Sequence, residues 1–321
     1  MKSLRTGVIG VGHLGQHHAR LYAGLPGSTL VGIVDADARR AKEIAERVGA
    51  AVYDDVGVLL RQVDAVSIAA PTSAHHAVAR QCLDAGVHVL VEKPITTTPA
   101  EATELITLAR ARKAVLQVGH IERFNPVMLK ARPSIHRPLL VECRRVSPFT
   151  GRSTDVDVVL DLMIHDLDMV MSFQPGAVTE LRAVGYPVVS DRVDVAHAWI
   201  TFAGGCVAVL TASRVATARA RELTVVQRDA CVSLDYQSRL ATIRRVSPGT
   251  RASGDQATEQ IQGGDEEPLK LELESFLHAV RTGARPVVSG EDGEAALSLA
   301  YRVLEAIGGF MRRHSREKVD G

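Results

Sequence analysis

Thr6-Gly7-Val8-Ile9-Gly10-Val11-Gly12-His13-Leu14-Gly15 joins a short apolar run to three glycines in the spacing G-x-G-x-x-G. It reads as a strand turning directly into a helix around a dinucleotide. Gly10 permits the tight turn, Gly12 leaves bare backbone against a pyrophosphate, and Gly15 lets helix and strand pack closely. Phosphate is then expected on the N–H groups of the first helical turn, with His13 and Leu14 among the contacts, where the helix dipole favours negative charge. Working outward, Leu30-Val31-Gly32-Ile33-Val34-Asp35 is a second apolar run ending in a carboxylate. It lies about twenty residues on, where such a fingerprint expects an acceptor for the ribose hydroxyls. Asp35 would accept from a 2′-OH and repel a 2′-phosphate, so NAD is expected over NADP. Arg39 and Arg40 offset part of that repulsion, and Asp35 is also of the residue type that caps a helix such as the one expected over 38–48.

The chain has 321 residues, above the ~250 to 300 at which single cores stop growing. Two domains are therefore expected: a dinucleotide-binding domain over 1–122 and a substrate-binding and dimerisation domain over 123–321. Helices at about 290–313 are expected to pack back on the first. Hydrophobic residues make up 46% of the chain, ample for two cores. A formal net charge of +1 supplies no basic field for nucleic acid. The pairs Arg144-Arg145, Arg244-Arg245 and Arg312-Arg313 read as solvated. Four cysteines without C-x-x-C spacing point to a reduced, cytoplasmic setting. Met1-Lys2 runs straight into the first strand, leaving no room for a signal peptide, and no apolar stretch approaches the ~18 to 20 residues that cross a bilayer.

Up to about residue 122, apolar runs at 6–9, 30–34, 65–69, 88–91 and 115–118 alternate with helical segments at 16–23, 39–48, 74–85 and 99–112. That alternation predicts an α/β, doubly wound parallel sheet of the Rossmann type. Beyond Pro126 the period changes to two. Residues 197–202 and 206–210, joined through Gly204-Gly205, read as a hairpin, as do 222–228 and 230–236. The second domain is expected to be α+β with a large open, mainly antiparallel sheet. Residues 248–268, rich in Gly, Ser, Gln and acid, read as a long exposed loop. Amphipathic helices are expected over 270–281 and 293–312.

Two places carry candidate chemistry. Glu92-Lys93-Pro94 follows the run His88–Val91, which puts Lys93 at the carboxyl end of a parallel strand, beside the crevice where such sheets bind ligands; a cis bond to Pro94 would hold it. The alternative is an ordinary charged strand exit. Val158–Asp168 reads as a helix on which Asp161 and His165, four apart, share a face about 6 Å apart along the axis. Imidazole is suited to taking a hydroxyl proton, and a neighbouring carboxylate orients the ring. Asp166 and Asp168 read as a capped or solvated face. Two ligand types on one helix with no partner cluster predict no metal. After Ala69-Ala70, Pro71 and Thr72 are expected as backbone contacts to ribose or nicotinamide, with His75 at the same edge.

These motifs, in this order, resemble the glucose–fructose oxidoreductase, inositol dehydrogenase and rhizopine-catabolism (Gfo/Idh/MocA) oxidoreductases over essentially the whole chain. The resemblance implies Lys93, Asp161 and His165 as catalytic residues, Glu92 and Lys93 beside the cofactor, and a second-domain sheet used to form a homodimer or homotetramer. Gly119-His120-Ile121-Glu122-Arg123-Phe124-Asn125-Pro126 is similar to the domain junction of the nucleotide-sugar branch, the UDP-N-acetylglucosamine 3-dehydrogenases included. Arg123, Asn125 and Arg152 are then candidates for pyrophosphate or sugar contacts, Arg being well shaped for phosphate; surface ion pairs are the alternative. The implied reaction is NAD-dependent oxidation of a secondary sugar hydroxyl to a ketone, such as C3 of UDP-N-acetylglucosamine. A free-sugar or polyol dehydrogenase, or a non-catalytic sensor of NAD or sugar, would share the fold.

Overall fold

The computed structural model describes residues 3–151, 156–245 and 257–317, with side chains to residue 313. The chain divides into two compact units, 1–121 with 266–294, and 122–265 with 295–321.

The first unit begins with β1 (Leu4–Ile9), α1 (Gly15–Gly24), β2 (Ser28–Val34), α2 (Ala38–Val48), β3 (Ala51–Val52) and α3 (Val56–Leu60). It continues with β4 (Ala65–Ile68), α4 (Thr72–Asp84), β5 (His88–Glu92), α5 (Pro99–Arg112) and β6 (Leu116–Gly119). The strands form one parallel sheet in the order β3-β2-β1-β4-β5-β6, whose reversal next to β1 opens the ligand crevice at the carboxyl ends. Local signals set the boundaries. Thr98 caps α5 in a capping box with Glu101, with Pro99 at its first position. Asp37, not Asp35, caps α2 by accepting from Arg40 N at 3.1 Å. β3 and α3 were not expected, because a two-residue strand and a five-residue helix are too short to show a period.

The first unit is completed from far along the chain. α8 (Pro268–Thr282) buries Leu269, Leu273, Phe276 and Leu277 in the cluster that holds Val8, Tyr22, Ile33 and Leu90. Phe276 is fully buried, a contribution of about 2 to 3 kcal/mol. Arg281 donates to Gly27 O at 2.6 Å, and Arg20 pairs with Glu267 at 2.6 Å. The sequence reading put everything after 122 in the second domain and brought helices near 290–313 back to the first. The returning helix is instead α8, because its apolar stripe covers α1. α9 (Gly290–Glu317) passes into the second unit at residue 295.

In the second unit come α6 (Pro126–Ala131), β7 (Leu140–Val146), a π turn over 159–163 and α7 (Ile164–Ser172). The strands that follow are β8 (Val178–Tyr186), β9 (Val195–Phe202), β10 (Val207–Ser213), β11 (Ala220–Val226), β12 (Ala230–Asp235), β13 (Leu240–Arg245) and β14 (Ala257–Gln262). They build one eight-stranded sheet in the order β14-β13-β12-β11-β7-β10-β9-β8, antiparallel except where β10 meets β7. The expected hairpins form as β9–β10 and β11–β12. Of the segment read as a loop, 248–256 lies outside the described residues, but 257–262 is an edge strand on β13. Thr258, Glu259, Gln260 and Gln262 are exposed there, which explains the loop-like composition: an edge strand in water carries polar residues.

Between β8 and β9, Asp194 is completely buried. It accepts from Val188 N, Val189 N and Ser190 N at 2.7 to 2.9 Å and forms an ion pair with Arg214, whose Nε lies 3.3 Å away. Burial pushes its carboxyl up, but those backbone donors and the Ser190 hydroxyl outweigh burial and bring it down to about 2. Asp194→Asn is expected to lower stability by about 2 to 3 kcal/mol at neutral pH. A depressed carboxyl contributes fully above the unfolded value near 4 and loses that contribution as pH falls through about 2. Urea unfolding at stepped pH should therefore find the gap between wild type and variant closing over that interval.

Candidate active site

In the first unit the glycines do what their spacing predicts. Gly10 holds φ +83°, and a Cβ there would lie 2.8 Å from the Ala69 backbone; one on Gly15 would lie 1.9 Å from Gly10 O. At Gly12 a Cβ would meet only Arg40 Nη1, at 3.9 Å. Bare backbone at the start of α1 with a guanidinium beside it is a cradle that fits a pyrophosphate. Exposed His13 and Leu14 form the same turn. Asp35 accepts from Val11 N at 2.6 Å and from Asp37 N at 2.8 Å, which fixes its charge at the end of β2 and ties the glycine turn to that strand.

Three further segments meet at the crevice side of this sheet. Pro71 precedes and Thr72 opens α4. His75, buried, has its two ring nitrogens 2.8 Å from Pro94 O and 2.9 Å from Ala70 O, so the protein itself engages both nitrogens. β5 ends in Glu92, half-buried Lys93 and a cis Lys93–Pro94 bond. Glu92 lies 3.0 Å from Nε2 of His18, a completely buried residue of α1. Burial pushes the Glu92 carboxyl up, and the hydrogen bond and charge of His18, together with Lys93, outweigh it and hold it below the usual carboxylate range. The sequence reading passed over His18. Its signal was its place three residues after Gly15, on the first turn of the helix that opens the motif.

The second unit presents Asp161 and His165, both half-buried, on the π turn and on α7. The expected single α-helix is interrupted because Ile164 N donates back to Val159 O, five residues away, a wide turn of the kind found at functional sites. The two acids beside His165 are not solvated. Asp166 is buried and gripped by Arg145, with Nη2 at 2.8 Å, while Arg145 Nη1 reaches Glu122 at 2.8 Å and the guanidinium lies 5.9 Å from the Tyr236 ring. Asp168 is buried and forked by Arg123, at 2.7 and 2.6 Å. Their arginine partners sit more than twenty residues away along the chain, so helical periodicity could not expose the pairing. Arg145 is thus a buried ion, contrary to the solvated reading.

Arg123 is placed as the clamp on Asp168. Asn125, 5% exposed, caps α6 by accepting from Val127 N at 3.3 Å. Arg152 lies outside the described residues. Among the described residues no group of three or more His, Cys, Asp or Glu side chains could hold a metal ion, and no helix is long and apolar enough to cross a membrane.

Residues 4–120 match the family model described as an oxidoreductase family with an NAD-binding Rossmann fold, and residues 125–232 match the GFO/IDH/MocA C-terminal domain. UDP-N-acetylglucosamine 3-dehydrogenase of Acidithiobacillus ferrooxidans is 39% identical over 318 residues, covering 98% of this chain and 100% of that protein. Its solved structure has a TM-score of 0.91, covering 97% and 99% of the two chains. Myo-inositol 2-dehydrogenase of Thermotoga maritima is 26% identical, covering 95% and 96%.

Proposed function

The chain belongs to the Gfo/Idh/MocA oxidoreductase family, and from that premise we propose that it oxidises C3 of UDP-N-acetylglucosamine with NAD. The observation that carries this choice of sugar is the 39% identity, end to end, with a relative of that activity. The motifs that carry Lys93, Asp161 and His165 resemble those of the family, which supports giving these three the catalytic roles. The protein is an NAD-dependent dehydrogenase acting on CH–OH.

The bound nicotinamide ring supplies the hydride acceptor. His165 takes the proton of the hydroxyl whose carbon gives up hydride, since a carbon bearing alkoxide character is the better hydride donor. Lys93 stabilises the charge growing on that oxygen, and Asp161 orients the imidazole or binds a neighbouring hydroxyl. Asp35 keeps a fixed negative charge where a 2′-phosphate would sit, so NADP is the poorer coenzyme.

We test this by following reduced nicotinamide with UDP-N-acetylglucosamine, free N-acetylglucosamine and myo-inositol. The nucleotide sugar with NAD should give the highest kcat/KM, and NADP at least tenfold less. His165→Ala should lower kcat by about a hundred- to ten-thousand-fold with NADH affinity within twofold. Preference for myo-inositol, the substrate in the name of the Thermotoga relative, would replace the substrate assigned here.

We further propose a cytoplasmic setting, consistent with four free cysteines, and a homo-oligomer. Trp199 on β9 is 49% exposed and Tyr186 on β8 is 50% exposed, aromatic surface that a second copy would cover. Light scattering should find a dimer or larger assembly that Trp199→Glu dissociates, and a monomeric wild type would refute it.

A further inference from the structure

A carboxylate and an imidazole are buried together where β5 hands the chain to Lys93. His18 and Glu92 meet at 3.0 Å, His18 is fully buried, and its Nδ1 has no hydrogen-bond partner. Since an ionised Glu92 can only accept, the hydrogen of this bond sits on His18 Nε2. The other oxygen, Oε2, accepts the backbone N–H of Lys93 itself at 3.3 Å. Gly119 on β6, the register partner of Glu92, makes room for the carboxylate, since a Cβ there would lie 2.8 Å from Oε2. Three elements, α1, β5 and β6, thus form a slot for one carboxylate.

Such a slot is an expensive way to fill a core. Taking the two groups out of water costs several kcal/mol, and a well-packed apolar pair of the same volume is commonly as stable or more so. What the polar pair provides and an apolar one cannot is direction: it holds the peptide N–H of Lys93 and fixes a negative charge one residue from the ammonium. On the other side of the lysine, His75 spans Pro94 O and Ala70 O. The chain is held immediately before Lys93 through the Glu92 carboxylate that His18 bonds, and His75 Nδ1 lies 2.8 Å from Pro94 O just after it, one of two carbonyls its single N–H can serve when neutral.

We propose that His18 and Glu92 are positioning residues for Lys93, the imidazole of α1 setting through the carboxylate the direction in which β5 delivers the ammonium. This rests on the role given to Lys93 above. The pair acts through the lysine, whose backbone N–H the carboxylate accepts.

The experiment compares His18→Leu, His18→Gln, Glu92→Gln and Lys93→Met in the full chain, using the sugar that the wild type oxidises best. His18→Leu should lower kcat about tenfold to a hundredfold, with NADH affinity within twofold and the KM for sugar changing less than kcat. His18→Gln, whose amide nitrogen can still donate to Glu92, should recover kcat to within about threefold of wild type. A structural role alone predicts no such rescue. A readout without turnover is the acylation rate of the Lys93 amine in the coenzyme-free protein, measured by peptide mass spectrometry. It should rise at least threefold in His18→Leu and return in His18→Gln. If His18→Leu does not fold, Glu92→Gln, nearly the same shape, decides: kcat should drop at least fivefold at an unchanged melting temperature. An unchanged kcat and an unchanged Lys93 reactivity in the folded variants would overturn the proposal. If Lys93→Met itself retains turnover, the role of Lys93 has failed; if only Lys93→Met loses it, the lysine stands and the positioning pair falls.

Discussion

Lys93→Met is expected to lower kcat about a thousandfold while NADH affinity stays within twofold. Methionine keeps most of the side chain's length and apolar stem and removes only the ammonium. A preorganised charge facing an oxygen that becomes negative is worth about 3 to 4 kcal/mol in the barrier, and each 1.36 kcal/mol is tenfold in rate. On the reading proposed above, coenzyme affinity rests on other groups, the bare backbone at Gly12 with Arg40 beside it and the carboxylate of Asp35, so binding and turnover should separate. Single-turnover hydride transfer, read at saturating sugar and NAD, isolates the chemical step. Lys93→Arg should recover little of the loss, because a planar fork does not place its charge where a compact ammonium does. Turnover within tenfold of wild type would remove Lys93 from the reaction.

Arg145→Met should be the most destabilising single change in the second unit. The arginine lies between Glu122 and Asp166, and all three side chains are at least nine-tenths buried. Removing the cation takes from Asp166 its buried partner and leaves Glu122 with only the more distant Arg221, at 3.7 Å, and Asn125, a loss of about 3 to 5 kcal/mol. Burial already pushes the Asp166 carboxyl above its usual range despite the pull of Arg145. A group raised in the folded state contributes stability below its unfolded value and loses it as pH rises through the folded one. The variant should therefore come nearest to wild type in acid, where Asp166 carries its proton, and fall furthest behind at neutral pH. Adding Glu122→Gln and Asp166→Asn to Arg145→Met should restore much of the loss, because neutral amides no longer need a cation. Urea unfolding at two pH values checks both statements, and an Arg145→Met protein as stable as wild type at neutral pH would refute the account.

These two residues also mark what a sequence discloses and what it hides. The place of Lys93 was legible because it is local: an apolar run, a charged triplet and the geometry of parallel strand ends put it just past β5. The same holds for Gly10, Gly12 and Gly15, each a short-range device. Arg145 was illegible because its meaning is tertiary. Beside Arg144 it looks like half of a solvated pair, and only the packing of α7 and of the turn at 121–124 against β7 makes it the counter-ion of two acids. Asp166 and Asp168 were misread for the same reason, and Arg123 and Asn125 turn out to brace the second unit's own frame. β3, α3 and the edge strand β14 escaped because short or solvent-washed elements need no apolar rhythm. His18 lay in plain view just past the motif, but nothing in the spacing tells a core imidazole from one bonded to Glu92.

The late return of α8 bears on how the molecule is made. Residues 269–279 supply part of the first unit's interior, so a growing polypeptide leaves the apolar side of α1 uncovered until most of the message has been translated. Release from the ribosome at residue 122 would yield an open, sticky fragment, and the dinucleotide module cannot be lifted out by cutting at the end of its sheet. Any transplant of it into another protein has to carry the distant helix as well.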